Sequence, residues 1–343
     1  MSAPRTGGGS RWQQRIEALW YARSAWSWPL LPLAALFCSV VALRRAAYRA
    51  GWLQTRTFSV PVIVVGNLTA GGTGKTPLVI WMAEFLRRAG YRPGIVSRGY
   101  GGTGLTHPQA VTPDSDPALV GDEALLLARR SGCPMMVGRD RAAAVASLLS
   151  GRRCDLVISD DGLQHYGLGR DIEVAVVDGA RRLGNRWCLP AGPLREPPGR
   201  LGEVDLVVCN GQGSNVEYSM RYNGDLLLMV NGTAGAKPLA DLSGQRVHAV
   251  AGIGHPERFF ATLRQSGLEL ISHAFPDHYR YRAADIRFAD ELLVLMTEKD
   301  AVKCQAWADT RHWYLPIAAE LDPRLGERLL TLLMRSRHGQ EIA

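Results

Sequence analysis

The chain has 343 residues, of which 46% are hydrophobic and 21% are charged. These values are ordinary for a folded protein of one large domain or two, and they argue against global disorder. The formal net charge is +8, and residues 1–50 carry most of it, with seven arginines and one acid, Glu17. Because the rest of the chain is nearly neutral, we expect no basic surface for nucleic acid.

The six cysteines are scattered through the sequence, without a CxxC pair and without a neighbouring group of histidines. This spacing indicates reduced thiols in a cytoplasmic setting and argues against a structural zinc site.

An apolar segment of twenty uncharged residues, SAWSWPLLPLAALFCSVVAL, lies between Arg23 and Arg44. Its length is close to that needed to cross a bilayer, and Trp26 and Trp28 resemble interfacial anchors. Three interpretations stay open: a buried core helix, a spanning helix and a monotopic anchor. We expect a monotopic anchor at the cytoplasmic surface of a membrane, where basic residues beside an apolar wedge meet anionic headgroups.

Short apolar runs alternate with helical patterns after Arg56. The run VPVIVVG at 60–66 is typical of a central parallel strand that is covered on both faces. The alternation predicts an α/β fold with a parallel sheet flanked by helices. Further strands are predicted at 94–97, 135–138, 155–161, 173–178 and 205–209, and helices from about Pro77, at 121–131 and at 139–150.

A Gly-, Asn- and Ser-rich stretch at 210–245 indicates a domain junction. The following RVHAVAGIG and PERFFATLRQSG form another strand–turn–helix pattern, which predicts a smaller C-terminal α/β lobe. The predicted division is a membrane-binding segment at 1–55, a phosphate-loop core at 56–215 and the smaller lobe at 216–343.

A glycine-rich loop, GGTGKT, follows the first predicted strand and precedes a helix. It departs from the Gly-x₄-Gly-Lys-Ser/Thr pattern only at Thr69, where that pattern has glycine. Backbone N–H groups of such a loop converge on phosphate oxygens, while the lysine meets the β/γ-phosphates and the final hydroxyl binds Mg²⁺. The predicted phosphate-binding residues are Thr69, Ala70, Gly71, Gly72, Thr73, Gly74, Lys75 and Thr76.

Asp160 and Asp161 end the predicted strand DLVISDD. Carboxylates in that place are the usual partners of Mg²⁺ in a phosphate-loop enzyme. Paired aspartates that simply begin a solvated turn are the alternative. Partitioning NTPases with a similar loop carry a lysine where this chain has Ala70. The positive charge that stabilises the phosphates at this site must therefore come from residues of a single chain.

Eight motifs follow one another in the chain: GNLTAGGTGKTP, SRGYGG, GDEALLLA, DDGLQH, PAGPLREP, AGIGHPERFF, FPDHY and TEKDAVK. Together they resemble the tetraacyldisaccharide 4'-kinase family, the lipid A 4'-kinases of Gram-negative bacteria, from about residue 10 to 330. The resemblance implies ATP-dependent, Mg²⁺-assisted phosphorylation of the 4'-hydroxyl of a lipid disaccharide 1-phosphate. It also implies work at the cytoplasmic face of the inner membrane, and we expect a monomer.

The resemblance implies that Asp122 in GDE is the catalytic base and that His278 in FPDHY pairs with it. From the residues alone, Asp122 could equally cap a helix, and His278 could be a structural loop histidine. Lys75 and Asp161 complete the predicted catalytic set, and Glu196 is a further candidate for Mg²⁺. Candidate substrate-binding residues are Arg98, Tyr100, Glu123, Arg141, Gln164, His165 and Arg195.

Two other classes of function compete with a lipid kinase. A membrane-docked regulatory NTPase would hydrolyse nucleotide to switch partners, and a non-catalytic membrane protein would carry a degenerate loop. Ala70 argues against the first, and intact Lys75 and Thr76 argue against the second.

Overall fold

The computed structural model describes residues 18–21, 25–103, 106–151, 154–211, 213–214, 217–233 and 235–336. Glu17 and Arg23 lie outside these ranges. The chain forms two compact units. The core unit holds the described residues up to Arg221 and again from Ala319, and the smaller unit holds Tyr222–Ala318.

The core unit contains a nine-stranded sheet of order β15-β8-β7-β6-β1-β5-β2-β4-β3. Six neighbouring pairs, from β8 across to β4, are parallel, and β3 pairs antiparallel with β4 at the edge. The strands are β1 (Val62–Gly66), β2 (Pro93–Ser97), β3 (Gln109–Val111), β4 (Met135–Val137), β5 (Leu156–Asp160), β6 (Ile172–Asp178), β7 (Leu206–Asn210), β8 (Tyr218–Asn223) and β15 (Ala318–Leu321).

Helices flank this sheet, as the alternating pattern predicts. Their apolar residues pack on strands whose own side chains are buried, since β1, β2 and β5 are buried at every position. The helices are α1 (Leu31–Arg49), α2 (Lys75–Arg88), α3 (Pro117–Val120), α4 (Asp122–Ser131), α5 (Arg141–Gly151) and α9 (Pro323–Arg335), with 3₁₀ turns at Ala25–Leu30 and Pro198–Glu203.

Helix α1 lies against the core unit along one face. Ala34 is buried, and Phe37 and Cys38 pack against the apolar cluster of the sheet. The opposite face carries large apolar side chains that are 55–67% exposed: Leu33, Leu36, Val40 and Leu43. By length and composition, Ser27–Arg49 could cross a membrane. The helix is therefore neither enclosed by the core nor separate from it.

The C-terminal segment differs from the predicted division, which placed it in the smaller lobe. β15 joins the nine-stranded sheet beside β8, and the Asp322 amide donates to the Ser219 carbonyl at 2.9 Å. Gly326 of α9 contacts Phe85 of α2 so closely that an added Cβ would lie 2.6 Å from the ring. The chain returns to the core unit because a strand edge and a helix surface there receive it.

The smaller unit contains a six-stranded sheet of order β10-β9-β14-β13-β11-β12, parallel from β14 to β12 and antiparallel at β9 and β10. Apolar clusters cover both of its faces. Its elements are β9 (Leu226–Met229), β10 (Ala236–Pro238), β11 (Arg246–Ala251), α6 (Pro256–Gln265), β12 (Glu269–Ala274), α7 (Ala283–Ile286), β13 (Val294–Thr297), α8 (Glu298–Cys304) and β14 (His312–Leu315), with 3₁₀ turns at Leu239–Leu242 and Gln305–Trp307.

Candidate phosphate-binding and catalytic site

The glycine-rich loop joins the carboxyl end of β1 to α2, where ligands of open α/β sheets bind. Gly71 and Gly74 have φ of +100° and +98°, a backbone region that residues with a Cβ rarely adopt. An added Cβ on Gly71 or Gly72 would meet nothing within 4 Å, so that side of the loop is open to a ligand. Lys75 and Thr76 form the first turn of α2.

Asn67 braces this loop and was not identified from the sequence. Its buried amide donates to the carbonyls of Thr69 at 2.8 Å and Gly71 at 3.2 Å, and its oxygen accepts from Lys75 Nζ at 3.2 Å. Asn210, at the end of β7, donates to the Thr73 carbonyl at 3.0 Å. A buried amide must find partners. The sequence signal was therefore an asparagine that directly follows a fully apolar strand.

Asp160 ends β5, the strand beside β1. Its Oδ2 accepts from the Ser97 hydroxyl at 3.0 Å, whereas its buried Oδ1 has no hydrogen-bond partner within the described part of the chain. Burial, with Glu123 and Asp161 nearby, raises the pKa of Asp160 to about 6. Ser97 is, after Asn67 and Asn210, a third contributor that was not identified from the sequence.

The next residue, Asp161, has a φ of +49°, which lies in the left-handed region of backbone conformation. Lys75 Nζ lies 3.3 Å and Arg195 Nη1 3.2 Å from its Oδ1. Burial acts to raise the pKa of Asp161, but these two cations lower it to about 2. Two adjacent carboxylates thus differ, since one is buried beside other acids and the other is held by cations.

The segment that precedes Arg195 supports the loop from the side. The Ala70 amide donates to the Pro193 carbonyl, and the Arg195 amide donates to the Leu68 carbonyl, each at 2.7 Å. The predicted residues Lys75, Asp161 and Arg195 therefore meet at one edge of the sheet.

Glu196 is buried beside this edge, with both oxygens held by protein donors. Gln164 Nε2 donates to Oε1 at 3.0 Å, Tyr166 donates to Oε2 at 2.6 Å, and Arg200 Nε lies 3.3 Å from Oε2. Gln164 also donates to the Asn67 carbonyl at 3.2 Å. Both Glu196 oxygens are thus engaged by protein groups, which favours a bracing role beside the loop, and its assignment to Mg²⁺ stays a prediction.

Arg141 and His165 lie near the two aspartates. Arg141 is buried, donates to the Gly138 carbonyl at 2.6 Å and lies 3.4 Å from the Asp160 carbonyl. Burial lowers the pKa of Arg141 to about 10, so it remains charged at neutral pH. Burial, with Arg141 and Arg98 nearby, lowers the pKa of His165 to about 4, so the imidazole is neutral there.

Asp122 is buried at the start of α4 and accepts the amide of its neighbour Glu123 at 2.9 Å. The residue before it, Gly121, has φ of +90°, and an added Cβ there would lie 2.3 Å from the Tyr100 carbonyl. The SRGYGG and GDE motifs therefore pack directly on each other, and this contact requires glycine.

His278 belongs to the smaller unit and has φ of +57°. Lys299 Nζ lies 3.4 Å from His278 Nε2 and 3.0 Å from Asp277 Oδ1. The FPDHY and TEKDAVK motifs are thereby brought together. The pairing of His278 with Asp122 stays a prediction.

These features define a P-loop phosphotransferase. A glycine loop follows a buried parallel strand and leads into a helix that begins with Lys-Thr, and two carboxylates stand at the end of the neighbouring strand in the sheet. The family model for tetraacyldisaccharide-1-P 4'-kinase matches residues 26–334. The chain belongs to the tetraacyldisaccharide 4'-kinase family, whose members phosphorylate a lipid A precursor.

Curated relatives with that name cover nearly all of the chain. The protein of Nitrosococcus oceani is 52% identical over 328 residues, covering 95% of this chain and 96% of the relative. That of Alkalilimnicola ehrlichii is 53% identical, covering 93% and 97%. The crystal structure of LpxK from Aquifex aeolicus in complex with ATP is similar, with a TM-score of 0.75 and 26% identity, and the match covers 89% of this chain and 99% of that one.

Proposed function

We propose that this kinase transfers the γ-phosphoryl group of ATP, with Mg²⁺, to the 4'-hydroxyl of tetraacyldisaccharide 1-phosphate at the cytoplasmic face of the inner membrane. One observation carries the proposal: Lys75 Nζ lies 3.3 Å from Asp161 at the end of the glycine loop, and the buried Oδ1 of the adjacent Asp160 has no hydrogen-bond partner among the described residues. The similar structure from Aquifex aeolicus, which holds ATP, supports the choice of nucleotide.

The residues at this edge fit a magnesium ion. A buried carboxylate oxygen without a partner is costly unless a cation or proton meets it. Within the described residues, no group of three or more His, Cys, Asp or Glu side chains could hold a metal alone. Mg²⁺ in kinases uses one or two carboxylates together with substrate phosphates and water, which agrees with that composition. We assign the protein ligands as Thr76, Asp160 and Asp161, and we leave Glu196 out.

Each charged residue has a separate part in the transfer. Lys75 neutralises charge on the β/γ-phosphates, and bound Mg²⁺ supplies further charge stabilisation when it is present. The 4'-oxygen forms a bond to the γ-phosphorus while the bond from that phosphorus to the bridging oxygen breaks, and ADP leaves. Asp122 accepts the hydroxyl proton, and His278 orients that carboxylate.

The substrate-binding assignments rest on charge and place. Arg141 is a buried cation close to both aspartates, and Arg98 lies near enough to lower the pKa of His165. We assign Arg98, Arg141 and Arg195 to phosphate oxygens. Gln164 now has a bracing role, whereas Tyr100, Glu123 and His165 remain proposed sugar contacts.

The outward face of α1 supports a monotopic attachment. A helix packed on its own core along one face cannot also be surrounded by lipid. The exposed residues Leu33, Leu36, Val40 and Leu43 would lie in the acyl boundary of one leaflet. With Ala70 in the loop, the site needs no partner chain, and we propose a monomer.

A transfer assay tests the reaction. Purified enzyme, γ-labelled ATP and tetraacyldisaccharide 1-phosphate should give lipid labelled at the 4'-oxygen only when Mg²⁺ is added. Label released as inorganic phosphate at the same rate with and without lipid would instead identify a regulatory NTPase.

A second experiment tests the membrane attachment. Glutamine at Leu33, Leu36, Val40 and Leu43 should release the protein from membranes while the packed face of α1 keeps the fold. The matched control places glutamine at exposed Leu226 and Met334, which lie outside α1. Equal release of both variants would locate the attachment elsewhere.

A further inference from the structure

A cavity of about 350 Å³ lies in the core unit, away from the glycine loop. One lining residue, Asp171, accepts the Val62 amide at 2.9 Å, which places the cavity at the amino end of β1. The glycine loop begins after Gly66, at the other end of that strand. With a rise of about 3.3 Å per residue, β1 separates the two places by roughly 15 Å.

The last two turns of α1 form one wall of the cavity with Arg45, Tyr48 and Arg49. These residues follow directly on the apolar outward face, and the exposed Trp52 comes after them. An apolar stretch followed by Arg, Tyr and Trp is the order found where a chain leaves the acyl region and meets headgroups. The cavity is thus at headgroup level if the outward face of α1 meets lipid.

At the wall formed by α1, two guanidinium groups have one carboxylate between them. Arg45 and Arg49 both bind one carboxylate, Glu203, with Arg49 Nη2 at 2.8 Å. Arg200 is buried in the lining and pairs with Glu173 and Glu196, while its Nη1 has no hydrogen-bond partner in the part of the chain that is described. Two guanidinium groups that share one carboxylate can still bind a phosphodiester.

Carboxylates line the rest of the cavity. Asp171 and Asp205 are fixed there by backbone amides, since Asp205 Oδ2 accepts the Glu173 amide at 2.8 Å. A purely anionic ligand would meet repulsion from this side. A headgroup with a phosphate at one end and a primary ammonium at the other matches both walls.

We propose that this cavity binds the headgroup of an ethanolamine-type phospholipid of the bilayer, with the phosphodiester on Arg45 and Arg49 and the ammonium on Asp171 and Asp205. The bound lipid is not the substrate. The bound lipid would fix the rotation of the core unit about the axis of α1, and so its orientation relative to the membrane surface. The inference rests on the membrane attachment proposed above.

Vesicle binding by the full-length protein tests this site with a matched pair of variants. Arg49→Gln and Arg44→Gln each remove one positive charge from neighbouring turns of α1, but only Arg49 lines the cavity. On phosphatidylcholine vesicles that contain phosphatidylethanolamine, Arg49→Gln should weaken binding about fivefold. Arg44→Gln should keep the preference for ethanolamine over pure phosphatidylcholine.

Glu203→Gln gives a second signature, because it frees both arginines from their shared carboxylate. It should shift the preference toward vesicles with phosphatidylglycerol. Equal losses for Arg44→Gln and Arg49→Gln, or no ethanolamine preference in the unaltered protein, would overturn the proposal. If soluble glycerophosphoethanolamine competes fully at low concentration, the cavity binds a free headgroup, and the assignment to a bilayer phospholipid is wrong.

The same variants separate this proposal from the kinase reaction. Transfer to substrate in detergent micelles without phospholipid should be unchanged in Arg49→Gln. If the transfer reaction fails for the unaltered protein as well as for the variants, the proposed function is wrong, and the vesicle-binding result still stands.

Discussion

Charged side chains are arranged differently at the two ends of β1. At its carboxyl end, Lys75 is held by Asn67 and Asp161, Asp160 is held by Ser97, and one Asp160 oxygen has no hydrogen-bond partner among the described residues. At its amino end, Arg49 and Glu203 belong to a network of arginines and carboxylates that bind one another. The first end is organised for a ligand that brings its own charge, and the second is largely self-neutralised. Substitutions should therefore change turnover at the first end and surface binding at the second.

The largest effect should come from Lys75→Ala. Its ammonium meets phosphate charge that grows in the transition state, so we expect a loss of about 10³-fold in kcat/KM with an unchanged fold. Steady-state kinetics and circular dichroism measure both. Lys237→Ala, in the smaller unit, is the control and should keep full activity. A well-folded Lys75→Ala enzyme with most of its activity would remove the loop from the mechanism.

Asp122→Ala should lower kcat by about 10²–10⁴-fold with little change in ATP affinity, as for a lost general base. Asp116→Ala is the matched control, because the Asp116 carboxylate caps α3 by accepting the Ala118 amide at 2.8 Å. That variant should lose about 1 kcal/mol of stability and keep its turnover. If Asp122→Ala behaves like the control, Asp122 is a cap.

The double variant of Asp122 and His278 tests the proposed pair. Residues that act as a unit give non-additive losses, so the double variant should be scarcely slower than the slower single variant. Multiplied losses would mean that the two residues act independently.

Asn67→Ala should raise the KM for ATP about tenfold with a smaller fall in kcat. The amide holds two loop carbonyls and orients Lys75, and losing a buried hydrogen-bonding group costs about 1–3 kcal/mol. Asn223→Ala, on β8, serves as the control. An unchanged KM in Asn67→Ala would show that the loop keeps its geometry without this brace.

The smallest effect concerns stability at the carboxyl end. The pKa of Asp160 is raised to about 6 in the fold, so ionising it above that pH opposes folding. Asp160→Asn should therefore raise the melting temperature of the nucleotide-free protein by a few degrees at pH 8 while removing most activity. The gain should shrink as the pH falls from 6 toward 4, because the native Asp160 then becomes protonated. Calorimetry at pH 8 and at pH 4 measures the difference in melting temperature between Asp160→Asn and the unaltered protein. An unchanged or lower melting temperature of the variant at pH 8 contradicts the prediction.

Sequence patterns predicted the parts of this fold that local periodicity encodes. The apolar run that became β1, the glycine loop and the aspartates at the end of β5 are contiguous signals, and the parallel sheet follows from the alternation of strand and helix patterns. Ser97 and Asn210 were missed because their partners, Asp160 and the Thr73 carbonyl, lie far from them in the sequence. Asn67 bonds within the loop that follows it, and it was missed because the phosphate-loop pattern does not extend back to that position. The bracing contacts of Glu196 with Gln164, Tyr166 and Arg200 were likewise not visible in the sequence pattern.

The return of the last strand and helix has a consequence for how the enzyme is assembled as a chain. The smaller unit is an insertion within a discontinuous domain, since the core unit ends at Arg221 and resumes at Ala319. These two points lie on β8 and β15, which are neighbours in one sheet. A short linker from the end of β8 at Asn223 to the start of β15 at Ala318 could therefore replace the residues between them and leave every strand of the core sheet in place. The phosphate-loop half of this kinase is, in that sense, one module interrupted by another.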